Sequence, residues 1–212
     1  IAAKPADRVK IEKELEATGR NRARFTFKRD SVLRMNLAVA LEPYRHDTVF
    51  TQSPQQTKES PWQNADTSQL LHRETTYTAF QYPFALNLDE CREKAEWTRK
   101  LLSVIGQLGG VAGNHARSLY DMAPASIVVR LTPRLAPGYD SYGFSVGEGG
   151  EHTYPEVVEA IINDDLPGAE FLIGGKIVRD MDEATLDALV KKGVAIERNA
   201  AKTLDIAGDR AF

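Results

Sequence analysis

The spacing of apolar and polar positions changes several times along the chain, and each change marks an element. Residues 5–18 (PADRVKIEKELEAT) read as a short charged helix that stops at Gly19. From Phe25 to Leu41 the pattern becomes strand-like. Phe25, Phe27, Val32, Leu37, Val39 and Leu41 are apolar with polar residues between them, and Lys28 to Ser31 interrupt as a turn or bulge would. Glu42 to His72 has no period and holds Pro43, Pro54, Pro61 and a run of Gln, Ser, Thr and Asn. A loop of that length in a compact domain is functional or disordered. Its Tyr44, Phe50 and Trp62 have no pattern that would bury them.

Residues 74–88 (ETTYTAFQYPFALNL) predict a strong strand, with Pro83 marking an edge or a bulge. Asp89 is the expected N-cap of a helix reaching about Leu108, with Cys91, Ala95, Trp97, Leu101, Leu102, Val104, Ile105 and Leu108 as its apolar face. The helix ends at Gly109-Gly110. The apolar run 126–132 (SIVVRLT) predicts a buried strand. A short helix follows over 155–163, then a hairpin in EFLIGGKIVRD turning at Gly174-Gly175, then a helix over 182–192 capped by Gly193. There is no internal repeat and no heptad pattern. The order fits an α+β sheet with helices on one face, like the second part of a ferredoxin-like or RNA-recognition-motif βαββαβ fold. The opening strand and helix of that fold are not recognisable, and the chain starts at Ile1 without a methionine, so an N-terminal part is expected to be missing.

Composition narrows the class. The chain has 212 residues, 42% of them hydrophobic and 27% charged, with 15 Gly and 10 Pro, ordinary values for a globular protein. One cysteine, Cys91, excludes an internal disulfide framework and an all-Cys metal site. No run approaches a membrane span, and no basic start followed by an apolar stretch marks a secretory leader. The net charge of −3 averages two unlike parts: residues 1–140 carry +4 and residues 141–212 carry −7. Arg20, Arg22, Arg24, Lys28, Arg29 and Arg34 face a single acid, Asp30, within residues 20–34. That asymmetry predicts a polyanion-facing portion and a separate solvated or docking portion, although basic residues also protect exposed sheet edges.

Candidate chemistry is sparse. In Gly109–Arg117 (GGVAGNHAR) the glycines allow backbone N–H groups to approach a phosphate, and Asn114, His115 and Arg117 add donors. The segment matches neither a Walker loop nor GxGxxG, and a capped helix end followed by a surface loop fits it equally well. His46, His72, His115 and His152 are scattered without metal-ligand spacing. The acidic pairs Asp164-Asp165 and Asp180 with Asp182-Glu183 read as helix-end caps before they read as a metal site. Neither a nucleophile motif nor a carboxylate pair points to an enzyme, and neither a cofactor nor a metal is expected. The basic strand, the aromatic-bearing loop, the Tyr/Phe strand and the glycine-rich loop together suit sequence-tolerant binding of a single nucleic-acid strand.

Residues 73–91 (RETTYTAFQYPFALNLDEC) and 106–132 (GQLGGVAGNHARSLYDMAPASIVVRLT) carry a resemblance. They resemble the repeating backbone subunit of type I CRISPR surveillance complexes (Cascade), in the DevR-like autoregulator group of the RAMP superfamily. The resemblance covers about residues 20–145. It implies a ferredoxin-like palm (1–42 and 74–145), a thumb insertion (43–73) and a small α/β C-terminal extension (146–212). It also implies a prokaryotic, cytoplasmic, non-enzymatic protein that polymerises with copies of itself along a CRISPR RNA. Its further partners would be other Cascade-type subunits and target DNA reached through guide pairing. Lys28, Arg29, Ser31 and Arg34 would hold the RNA backbone, as would Gly113, Asn114, His115 and Arg117. Phe50 and Trp62 of the thumb would stack on bases. The same superfamily contains RNA endonucleases and RNA-targeting type III backbone subunits. A stand-alone RNA-binding module is the remaining alternative.

Overall fold

The computed structural model describes residues 5–17, 31–45, 47–52, 70–76, 78–109 and 121–212. The chain divides into two compact units, Ile1–Val32 and Leu33–Phe212. The first holds the expected charged helix, α1 (Pro5–Ala17). The basic residues from Arg20 to Arg29, with Asp30, lie outside the described residues.

The second unit is built on a three-stranded sheet. Its centre is a strand that sequence reading took for one arm of a hairpin. Phe171–Gly175 is buried at all five positions, pairs antiparallel with Ser126–Arg130 on one edge and parallel with Ala195–Glu197 on the other. No hairpin exists here, because the chain leaves Gly175 directly into a helix, Lys176–Asp180. Gly175 makes that break with φ of 89°, a conformation only glycine adopts freely. The expected buried strand at 126–132 is present, but it lies at the edge of this sheet and only Ile127 is fully buried.

Alternation along the central strand makes two cores. Phe171 and Ile173 face Val157 and Ile161 of the helix Pro155–Ile162 and Leu189 of the helix Glu183–Lys191. Leu172 and Gly174 stand beside Val129 and Ile127, which face Leu102 and Leu204 of the helices Ala95–Gly106 and Ala200–Arg210. Helices therefore cover both faces of the sheet, not one. The α+β class holds. In chain order we number the helices α1, α2 (Leu88–Cys91), α3 (Ala95–Gly106), α4 (Pro155–Ile162), α5 (Lys176–Asp180), α6 (Glu183–Lys191) and α7 (Ala200–Arg210). The expected helices at 155–163 and 182–192 are α4 and α6. Asp182 caps α6, and Gly193, with φ of 87°, ends it. The long helix expected from Asp89 is divided by a 3-10 turn at Arg92–Lys94, and its N-cap is Asn87, whose side chain accepts the Asp89 N–H. Neither α7 nor the strand Ala195–Glu197 was expected. The last seventy residues, acidic overall, carry most of the core among the described residues.

In chain order the strands are β1 (Leu33–Met35), β2 (Val39–Ala40), β3 (Asp47–Gln52), β4 (Leu70–Thr75), β5 (Phe80–Gln81), β6 (Phe84–Leu86), β7 (Ser126–Arg130), β8 (Ser145–Val146), β9 (His152–Thr153), β10 (Phe171–Gly175) and β11 (Ala195–Glu197). The expected single strand at 74–88 is instead the end of β4 followed by β5 and β6, which pair with β3, β2 and β1 respectively. Pro83, which has no N–H, sits between β5 and β6, and its carbonyl accepts the Asn36 N–H at 3.0 Å. The expected patternless stretch 42–72 contains β3 and the first half of β4.

α3 and α7 run antiparallel at a close approach set by glycine. A Cβ on Gly106 would stand 2.9 Å from the Ala201 Cα, and one on Gly208 would stand 3.4 Å from the Arg99 Cα. Gly106→Leu forces the helices apart over a packed core, so it should lower stability by about 1–3 kcal/mol in urea titration. Gly208→Ala, which meets ordinary contact, should cost clearly less.

Candidate nucleic-acid interface

Three of the expected binding residues fall among the described ones. Ser31 precedes β1 and is exposed. Arg34 lies in β1 opposite Ala85 of β6, while Leu33 and Met35 stand opposite Leu86 and Phe84. Phe84 and Leu86 pack on the α3–α7 cluster, so strand alternation puts Arg34 on the opposite, solvent-facing side of the pair. Phe50 lies in β3. Lys28, Arg29, Trp62, Gly113, Asn114, His115 and Arg117 lie outside the described residues.

β3 and β4 form a six-residue antiparallel ribbon that joins no other strand among the described residues. Its register puts Phe50 directly opposite His72, with ring centroids 4.3 Å apart and edge-on. The Phe50 side chain remains 64% exposed. An aromatic pair held in a fixed register but left in water offers a flat apolar face to a planar ligand.

The described polar clusters serve the fold. Ser126 Oγ at the start of β7 accepts the Ile177 N–H at 2.9 Å and lies 2.7 Å from His152 Nδ1. Asp180 completes a Ser–His–Asp set in composition only. Its carboxylate takes the His152 backbone N–H at 2.8 Å and the Lys176 ammonium at 2.8 Å, leaving the imidazole without the carboxylate that orients a catalytic base. This network ties β7, β9 and α5 together. Asp164 pairs with Lys192, and Asp182 accepts the Thr185 N–H. Asp164, Asp180 and Asp182, three of the acids considered for a metal, are thus engaged in helix ends and ion pairs. Among the described residues no group of three His, Cys, Asp or Glu side chains is placed to hold a metal ion.

Sequence reading also missed Arg130 and Glu170. The Arg130 side chain is 4% exposed, lies over the Phe171 ring and pairs with Glu170 at 2.7 Å. Burial pushes the Glu170 carboxyl up, but hydrogen bonds from Arg130 and Thr132 outweigh it and hold the group below its ordinary value. No short-range signal marks either set, because the partners are 26 to 51 residues apart.

No family model matches the chain. A protein of Myxococcus xanthus (strain DK1622), CRISPR-associated protein Cas7/Cst2/DevR, is 30% identical to it over 184 residues, 84% of this chain. The chain is Cas7/DevR-like. It spans 60% of that relative's length. The resemblance read from residues 73–91 and 106–132 agrees with this relationship, which extends well beyond those two stretches. In this Cas7/DevR-like chain no helix among the described residues is long and apolar enough to cross a membrane.

Two measurements test the polar networks. Glu170→Ala leaves a buried guanidinium without its counter-charge and should cost about 3 kcal/mol in urea unfolding, whereas Arg130→Met with Glu170→Met should restore much of that loss. Burial first, then the Lys176 charge, pulls His152 below its ordinary value, against the opposing pull of Asp180. The unfolded chain then binds the proton that folded His152 refuses, so stability falls as pH drops below about 6.5. The fall in Tm from pH 7 to pH 5.5 should be smaller in His152→Gln than in wild type. Equal falls would remove His152 as a source.

Proposed function

We propose that this Cas7/DevR-like chain is an RNA-binding backbone subunit of a CRISPR ribonucleoprotein and that it catalyses no reaction. The observation that carries the reading is Phe50. It is an aromatic on a regular ribbon, paired with His72, yet kept out of every core and so free to stack on a base. Arg34 on the open side of β1–β6 supplies a phosphate contact. Lys28, Arg29, Ser31, Gly113, Asn114, His115 and Arg117 extend it, and Trp62 adds a second stacking group.

A protein that must hold every guide alike grips phosphates and stacks on bases, leaving recognition to Watson–Crick pairing with target DNA. Copies side by side on one RNA, with other subunits of the complex at its ends, would form the filament. The fold we propose for residues 33–130 is a ferredoxin-like palm with the β3–β4 ribbon as its thumb. Such a palm would seat one more strand between β6 and β7. Those two lie over the same α3–α7 cluster without pairing to each other among the described residues.

Fluorescence anisotropy with labelled single-stranded RNAs of unrelated sequence tests the reading. Affinities should agree across sequences, and Phe50→Ala should weaken all of them by about 1–3 kcal/mol, the loss of one stacked base. The RNA should remain intact after long incubation. Sequence-selective binding would favour a stand-alone module, and cleavage by pure protein would favour the endonuclease alternative.

A further inference from the structure

The described surface has two notable concave sites, and their charge differs. One, between α3 and α7, is lined by Arg99 and Lys100 but also by Asp205 and Asp209, and Arg99 pairs with Asp209 at 3.3 Å. The other is a pocket of ≈ 360 Å³ where the end of α3 (Gly106), the approach to β7 (Pro124, Ala125), the end of α5 (Arg179) and the turn into α7 (Arg198, Asn199) meet. Among the described residues no carboxylate lines it.

The acids nearest in sequence are already committed. Asp180 is held by Lys176 and the His152 N–H, and Glu197 by Lys202 at 2.6 Å. Arg179 Nη1 donates to the Arg198 carbonyl at 2.6 Å, which ties the two residues together and leaves its other N–H groups free to donate. The Arg198 guanidinium makes no ion pair or hydrogen bond among the described residues. The result is one concave site lined by two arginines and, among the described residues, by no carboxylate. Such a site attracts a doubly liganded anionic oxygen group more strongly than it attracts water. Gly106 and Pro124 also flank the Gly109–Asp121 bridge, where the chain leaves for and returns from the glycine-rich basic segment.

We propose that Arg179 and Arg198 form a phosphate-binding site for a nucleic-acid strand, a second point of attachment in the part of the chain where sequence reading found no binding residue. That the strand is RNA rests on the function proposed above. The site contributes affinity without sequence preference, because a phosphodiester carries no base information.

The test is anisotropy of a labelled single-stranded RNA against wild type, Arg198→Gln, the Arg179→Gln/Arg198→Gln pair and the corresponding double Lys variant, over a series of salt concentrations. Each lost phosphate contact should flatten the log–log salt slope by about 0.7, so the single and double Gln variants should lose about 0.7 and 1.4. The double Gln variant should bind roughly tenfold more weakly, with the Lys variant keeping most of the slope. Arg198→Gln removes a side chain without partners here, so this measurement survives if the double variant folds poorly. If wild type binds RNA and Arg198→Gln and the double variant bind it with unchanged affinity and slope, the site is wrong and the RNA reading stands. If wild type binds no RNA, both fall. If polyglutamate displaces the RNA from wild type and from the double variant equally well, the arginines are not a phosphate site, whatever else binds there.

Discussion

Both cores of the second unit are organised by one strand that has no free side. β10 spends its backbone N–H and C=O groups on β7 and β11, and its side chains are buried in both directions. Buried backbone groups must be paired, so neither neighbour can slip without leaving orphans in a dry interior. A one-residue slip would also exchange Phe171 and Ile173 for Leu172 and Gly174 on each face. Gly174 is the tight point. A side chain there would collide with Thr203 of α7, so the absence of a Cβ is what lets α7 lie directly on the sheet.

This constraint separates a buried sheet, whose polar groups are paired, from short strand pairs whose side chains face outward. Around β10 the polar groups answer one another: Ser126 with His152, Lys176 with Asp180, Arg130 with Glu170. Away from it, Phe50 and Arg34 stand on short two-stranded pairs with their reactive faces outward. Arg179 and Arg198 sit at the border, anchored by the rigid sheet yet open to solvent. A binding group on such a support needs little ordering when its ligand arrives.

What was legible in the sequence was what short range determines. The periodicity of PEVVEAII and the Asp182…Gly193 bracket gave two helices nearly to the residue, because amphipathic spacing and caps are local. The fifteen residues from Glu74 to Leu88 misled for the opposite reason. Strand propensity reports that residues fit a pleated surface, but not that three different partners take turns pairing with them. FLIGG misled through its glycines. A Gly-Gly pair is the usual mark of a turn, yet here one glycine admits a helix and the other ends a strand. Arg34 and Phe50 could be nominated from charge and from an aromatic without a period. Arg179 and Arg198 could not, since only the fold brings their positions together and removes the acids between them.

The reciprocal glycine contacts of α3 and α7 also bear on how the chain is made. Gly106 meets Ala201, and Arg99 meets Gly208, across roughly a hundred intervening residues. During synthesis at about 5–20 residues per second, Leu102 and its neighbours wait on the order of 5–20 s before α7 emerges to cover them. β10, β11 and the helices between them close over far shorter separations and can assemble as soon as they appear. The acidic end of the chain therefore acts as the template on which the earlier-made segments finally condense. A ribosome stalled short of residue 200 would leave a nascent chain with the apolar face of α3 uncovered, a substrate for chaperones and proteases before it is a protein.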